Sequence, residues 1–263
     1  MDHIEKVIEE LRGEIRALRM ECDRNRDRQQ IENLAARYQY YYAAGLGERI
    51  VDELWAHEVT TVSNEFGASG VYRGLRKVKT YYQKDIVPGR FHMHTMTTPA
   101  IEVAGDGKTA KGVWMSIGVE TDAGDLGPQP VDGYEQRMLL SSATADGKRF
   151  KAEWIWQKFE IEFIRESDGW KIWHLHGYDV FRCPYDENWV TYAEKRFRTD
   201  GLGIEAIYTK NVPYEPDEPP ENNASVPTTQ HWQYTVDAVP VLAPEPPEPY
   251  ETMDTSFTWP MMP

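Results

Sequence analysis

Three short runs of side chains carry the chemistry open to this chain. They are His92-Met93-His94, then Trp154, Trp156 and Lys158, then Trp173-His174-Leu175-His176-Gly177-Tyr178. Along a strand, residues two apart share a face. That groups His92 with His94, Trp154 with Trp156 and Lys158, and His174 with His176 and Tyr178. Imidazoles titrate near neutrality and can give or take a proton. A lysine beside two indoles loses solvation, which lowers its pKa towards the range useful for acid–base work. Paired histidines at this spacing also suit a metal ion. No third ligand is placed beside either pair, so the expected site holds no metal. Each histidine has a structural alternative as a buried ring bonded to a backbone carbonyl. The two tryptophans suit a core or an interface as well as a ligand wall, and Lys158 suits solvent.

Composition narrows the partners. The chain has 263 residues and a net charge of −14. That charge repels nucleic acid and anionic membranes, because its basic residues are scattered among acids. No apolar run reaches the ~18–20 residues of a membrane helix. The N-terminus is charged from Asp2 onward, so a cytoplasmic location is expected. Two distant cysteines, Cys22 and Cys183, make neither a disulfide framework nor a thiolate metal site. Phosphate-loop, dinucleotide and nucleophile-elbow signatures are absent. The expected chemistry needs no cofactor and acts on a small hydrophobic substrate.

Three zones must position these side chains. In residues 1–29, Ile4, Ile8, Leu11, Ile15, Leu18 and Cys22 alternate four and three apart, the seam of a coiled coil. A homo-oligomer, dimer or trimer, is expected; the alternative is an amphipathic helix lying on its own domain. Residues 30–185 open with a helix over Ile31–Ala44, stopped by Gly45 and Gly47. Short helices follow over Arg49–Ala56 and Leu75–Ile86. Long strands are expected over His92–Val103, Thr109–Thr121, Phe150–Arg165 and Trp170–Phe181, with Asp106-Gly107 and Asp168-Gly169 as turns. Helices followed by antiparallel strands make an α+β fold. Residues 186–263 hold a helical piece, Trp189–Phe197, and a Pro-rich tail that cannot build its own core. Trp232, Tyr234, Tyr250, Phe257 and Trp259 mark that tail as an arm that docks on a folded surface; the alternative is a disordered tail.

The order of five features resembles a known family. They are Tyr40-Tyr41-Tyr42-Ala43-Ala44, Glu53-Leu54-Trp55, Gly70-Val71-Tyr72-Arg73-Gly74, His92-Met93-His94 leading to Pro99-Ala100-Ile101-Glu102-Val103, and Asp168-Gly169-Trp170-Lys171-Ile172. Together they resemble the SnoaL-like branch of the nuclear-transport-factor-like superfamily. The resemblance implies a cone: a curved antiparallel or mixed sheet wrapped around helices and an apolar pocket. It also implies lyase or dehydratase chemistry without a cofactor, as in scytalone and bile-acid dehydratases, polyketide cyclases and a diarylpropane lyase. The substrate expected is a bulky hydroxylated aromatic or polycyclic compound. Carried over, the dehydratase tyrosine matches Tyr42 (or Tyr41), and the dehydratase histidine matches His94. A further acid expected near Gly45, and a His or Asp expected near Trp114 to Ser116, are missing. Lys158, His174 and His176 are the candidates to replace them. The expected catalytic set is therefore His94, Tyr42, Lys158 and His176, with Trp114, Trp156, Tyr41, Trp55 and His174 around the substrate. A non-catalytic binding or assembly subunit, and an isomerase or cyclase, are the other readings.

Overall fold

A computed structural model describes residues 3–66, 70–83, 88–124, 142–143, 145–146, 149–193, 225–226, 229 and 233–259. Chain order runs α1 (His3–Ala43), α2 (Gly47–Arg49) continuing as a π-helical turn (Ile50–Leu54), β1 (Ser63–Phe66), β2 (Gly70–Arg73), α3 (Leu75–Tyr82), β3 (Phe91–Val103), β4 (Thr109–Gly124), β5 (Ser142–Ala143), β6 (Arg149–Glu166) and β7 (Gly169–Pro184). The four long strands and both Asp-Gly turns fall where alternation and turn chemistry placed them. The coiled-coil segment and the first domain helix, expected as separate pieces, are one 41-residue helix. No glycine or proline near residue 29 breaks it. The Gly124–Gly133 loop lies outside the described residues after Gly124, as do Trp232 and the second half of the helical piece at Trp189–Phe197.

One mixed sheet has the order β2-β1-β7-β6-β4-β3, with β5 against β6. Every contact is antiparallel except β1 beside β7. The register slips between Thr97 and Ala100, between Trp156 and Gln157, and between Glu162 and Phe163. Such bulges bend strands and raise their twist, which lets a sheet wrap round helices. Thr98 sits in the left-handed region, with φ 49°, at the first of them.

The C-terminal half of α1 lies across the concave side. Ile31, Leu34, Ala35 and Tyr38 are buried there, in one core cluster with Phe159, Phe163, Trp55 and Val78. Asp27 anchors its entry, accepting from Trp170 Nε1 at 3.2 Å and pairing with Arg165. The helix stops in a Schellman turn: Leu46 N donates to Tyr41 O (2.9 Å), Gly45 N donates to Tyr42 O (3.0 Å), and Gly45 takes φ +68°. That stop holds Tyr42 at the helix end, over the first half of β3.

The tail crosses the convex side of its own domain. Gly105 N donates to Tyr250 O (2.9 Å), Thr61 Oγ1 to Thr255 O (3.2 Å) and Arg73 Nε to Trp259 O (3.0 Å). Phe257 packs on Trp173 and His174, with centroids 5.3 Å from each. No helix of the described residues is long and apolar enough to cross a membrane.

Candidate active site

Pairing register decides which side chains meet. His94 lies opposite Gly118, His92 opposite Glu120 and Met96 opposite Ser116. Ser116, Gly118 and Glu120 in turn lie opposite Gln157, Ile155 and Glu153. Paired residues point to the same side of a sheet, so all of these face the concave side. His94 Nε2 and Glu120 Oε1 stand 2.9 Å apart, both buried. Glu120 Oε2 accepts from Arg182 NH1 at 3.0 Å. Arg182 also binds Glu153, and its Nε donates to Asp179 Oδ2 at 3.1 Å. Asp179 accepts from Gln157 Nε2 at 2.7 Å.

The electrostatics set the protonation states. Burial alone would push the Glu120 carboxyl up, but Arg182, His94 and His92 hold it well below the usual carboxylate range. Burial also opposes the Arg182 charge, and Glu120, Asp179 and Glu153 outweigh that cost. Glu120 is therefore ionised and can only accept, so His94 Nε2 carries the hydrogen between them. Nδ1 is left to exchange a proton. It is buried and has no hydrogen-bond partner among the described residues. Ser116 Oγ and Gln157 Oε1, on the same face, are buried and unpartnered as well. Gly118 makes room for the ring, because a Cβ there would lie 2.2 Å from His94 Nδ1.

Aromatic rings surround the pair. Tyr42 stacks on His92 at 5.5 Å and meets the edge of His94 at 6.0 Å. Tyr38 stacks on Tyr42 at 6.1 Å and meets Phe159 at 6.4 Å. Tyr82 donates to Asn64 Oδ1 at 3.1 Å. Burial pushes the hydroxyls of Tyr38, Tyr81 and Tyr82 well above their usual pKa, so all three stay protonated.

The residues expected to form one pocket divide between two faces. His94 and Tyr42 meet on the concave side. Trp114 shares that side but sits four residues along β4 from Gly118, its ring turned away over Gly112, where a Cβ would touch it at 2.4 Å. Trp55 is fully buried in the core against Tyr82 and bridges to Ile172. Tyr41 faces outward, donating to Glu53 (2.8 Å) and accepting from Arg49 (2.8 Å). That corrects its placement around substrate: one helical residue turns the side chain ~100° from Tyr42.

Lys158, His174, His176 and Trp156 lie on the convex side, which corrects their placement beside His94. Lys158 pairs with Tyr178, Glu160 with His176 and Glu162 with His174, out of phase with Gln157 and Phe159. Lys158 Nζ donates to Ala243 O of the tail at 2.5 Å, and burial lowers its pKa. His174 is satisfied by Glu162 (2.6 Å) and Thr61 O (2.8 Å). His176 lies under Trp259, tilted to it with ring centroids 4.5 Å apart, with Nδ1 3.5 Å from Glu160 and no hydrogen bond to it among the described residues. Trp156 packs on Phe181 and Trp189.

Sequence reasoning missed Glu120, Arg182 and the part His92 plays. Parity alone offered a signal: Glu120 shares the phase of Trp114 and Ser116. No cluster of three His, Cys, Asp or Glu side chains among the described residues suits a metal. A cleft of about 170 Å³ opens between α1, the β3–β4 turn and the tail, lined by Arg24, Arg28, Glu102 and Tyr250. It lies at the far end of β3 from His94 and holds none of this chemistry.

Residues 23–176, more than half of the chain, match the family model described as a SnoaL-like domain. No curated protein matches. Among solved structures, the chain is similar to a putative scytalone dehydratase from Novosphingobium aromaticivorans (11% identity, 64% of this chain and 93% of that chain covered, TM-score 0.45). It is similar to hexachlorocyclohexane dehydrochlorinase LinA-type3 from Novosphingobium barchaimii (15%, 64% and 96%, TM-score 0.46). It is also similar to a nuclear transport factor 2-like superfamily protein from Salmonella enterica (14%, 63% and 99%, TM-score 0.42).

Proposed function

The chain belongs to the SnoaL-like domain family, and on that premise we propose that it is a cofactor-independent lyase. The reaction is a dehydratase-type elimination on a bulky hydroxylated aromatic or polycyclic compound. The observation that carries this reading is the buried His94–Glu120 pair, with Glu120 kept ionised by Arg182 and His94 Nδ1 left unpartnered. Nδ1 takes a proton from the carbon next to the hydroxyl-bearing carbon. The C–H electrons form the new double bond and the C–O bond breaks. The imidazolium, stabilised by Glu120 as a carboxylate stabilises histidine in hydrolase triads, returns its proton to the leaving hydroxide, and water departs. Ser116 and Gln157 offer unpartnered polar atoms to substrate hydroxyls, and unpartnered buried polar atoms are uncommon unless something else satisfies them. Tyr38, Tyr42 and Phe159 supply ring faces for an aromatic substrate. Where the substrate carries a para phenol, loss of a benzylic hydroxyl leaves an electron sink that also suits C–C cleavage. Lys158, His174 and His176 have no part in this chemistry.

The test is a panel of β-hydroxy aryl ketones and phenolic benzylic alcohols, followed by mass loss of one water and growth of conjugated absorbance. Removing a general acid–base group costs ~10²–10⁴-fold. His94→Ala and Glu120→Gln are each expected to lose that much kcat/KM while binding is retained. Full activity in His94→Ala would sink the assignment. Turnover without release of water would make the reaction an isomerisation.

A further inference from the structure

Among the described residues, nothing covers the first half of α1: residues 3–26 are all exposed, and the burial of this helix begins at Asp27. That leaves a rod of ~36 Å at 1.5 Å per residue. A single helix with an exposed apolar stripe is marginal in water. Yet Ile4 is 63% exposed, Leu11 50% and Leu18 60%, with Ile8 and Ile15 between them.

We infer that this rod is the contact for a second copy of the same chain, as a parallel, in-register, two-stranded coiled coil. The spacing assigns Ile8, Ile15 and Cys22 to one seam position and Ile4, Leu11 and Leu18 to the other. Isoleucine at the first with leucine at the second favours two parallel strands. The flanking charges decide direction. Glu14 and Glu21 precede Ile15 and Cys22, Arg12 and Arg19 follow Leu11 and Leu18, and Arg26 follows Asn25, the next residue in that second phase. A parallel pair sets Glu14 against the second copy's Arg19, and Glu21 against its Arg26. An antiparallel pair would set glutamate against glutamate and arginine against arginine, which costs stability. Glu14, Arg19 and Glu21 make no ion pair among the described residues, and Arg26 has only the exposed Asp23 at 2.9 Å. The seam ends where the domain begins, so both domains hang side by side from one end of the rod.

The direction has a chemical readout. In the parallel pair, both Cys22 thiols meet in one layer of the seam; in an antiparallel pair they lie ~27 Å apart, eighteen residues of rise. The other cysteine, Cys183, is buried in the domain. The full chain is oxidised with copper phenanthroline, and its mass is measured by light scattering. A dimer is expected, with an interchain disulfide that Cys22→Ser abolishes and Cys183→Ser leaves in place. Leu11→Glu with Ile15→Glu is expected to give a monomer whose domain signal by near-UV dichroism is unchanged, since both side chains are exposed. Glu14→Arg alone should weaken the dimer, and mixing it with the Arg19→Glu chain should restore a mixed dimer. A monomeric parent chain, a dimer that survives Leu11→Glu with Ile15→Glu, or a dimer without the Cys22 crosslink would each overturn the inference.

Discussion

Arg182 is the residue on which the concave site depends, and replacing it with methionine tests that directly. In the parent chain one guanidinium faces Glu120, Glu153 and Asp179, whose side chains are 8%, 0% and 9% exposed. Arg182→Met keeps most of the volume and leaves three buried carboxylates without their cation. Breaking a buried ion pair from one side costs ~3–5 kcal/mol. The Arg182 side chain is 26% exposed, so water relieves part of that cost, and about 3 kcal/mol at pH 7 is expected. With a urea m-value of ~2–3 kcal/mol/M, the midpoint should fall by about 1–1.5 M. The pH dependence follows from the direction of the shift. Glu120 has a depressed folded pKa, so its stabilisation is complete above the unfolded carboxylate value and is lost as pH falls through the lower folded value. In the variant, burial still pushes the Glu120 carboxyl up and only His94 and His92 oppose it, so its pKa rises from the parent's. Lowering the pH then protonates it and removes the penalty. The gap between variant and parent should therefore be widest at pH 7 and should narrow towards pH 4. Urea unfolding of both proteins at pH 7, 5.5 and 4 measures this. A loss under 1 kcal/mol at pH 7, or a gap that stays constant with pH, would show that the carboxylates do not depend on Arg182.

Two further substitutions probe the site and its cover. Gly118→Ala puts a methyl 2.2 Å from His94 Nδ1, so the ring must move. Overpacking costs ~1–3 kcal/mol and a displacement of about 1 Å costs ~10² in rate, read as a fall in kcat/KM with the dichroism spectrum retained. Trp259→Ala removes the indole over His176 and its 3.0 Å hydrogen bond to Glu65. The indole is half-buried, so about 2 kcal/mol of stability is expected to go, below the ~3–5 of a fully buried tryptophan; denaturant unfolding at pH 7 measures it. Activity should stay at the parent level, because His176 lies on the far side of the sheet from His94. An inactive Trp259→Ala of unchanged stability would place the chemistry on the convex face instead. The His94 and Glu120 variants and the Cys22 crosslink complete the set.

Alternation along each strand was legible in the residues alone. It placed the four long strands and told which side chains travel together, such as His174 with His176, and His92 with His94. The heptad spacing of Ile4 to Cys22 and the glycine stop after Tyr42 were equally plain, because helical period and left-handed caps are local properties. What the sequence could not supply was the relation between strands. Parity fixes a face within one strand, and only register says whether two strands' faces coincide. The pairing of His94 with Gly118, and of Gly118 with Ile155, put Lys158 and His176 behind the sheet rather than beside His94. The same register brought Glu120 to His94 across 26 residues and Arg182 to Glu120 across 62. Neither residue stands out in composition; each matters because long-range pairing removes it from water beside an opposite charge. The tail likewise read as an arm from its prolines and aromatics, but its course over His176 and Trp173 was set by the shape of the convex face, which no local pattern encodes.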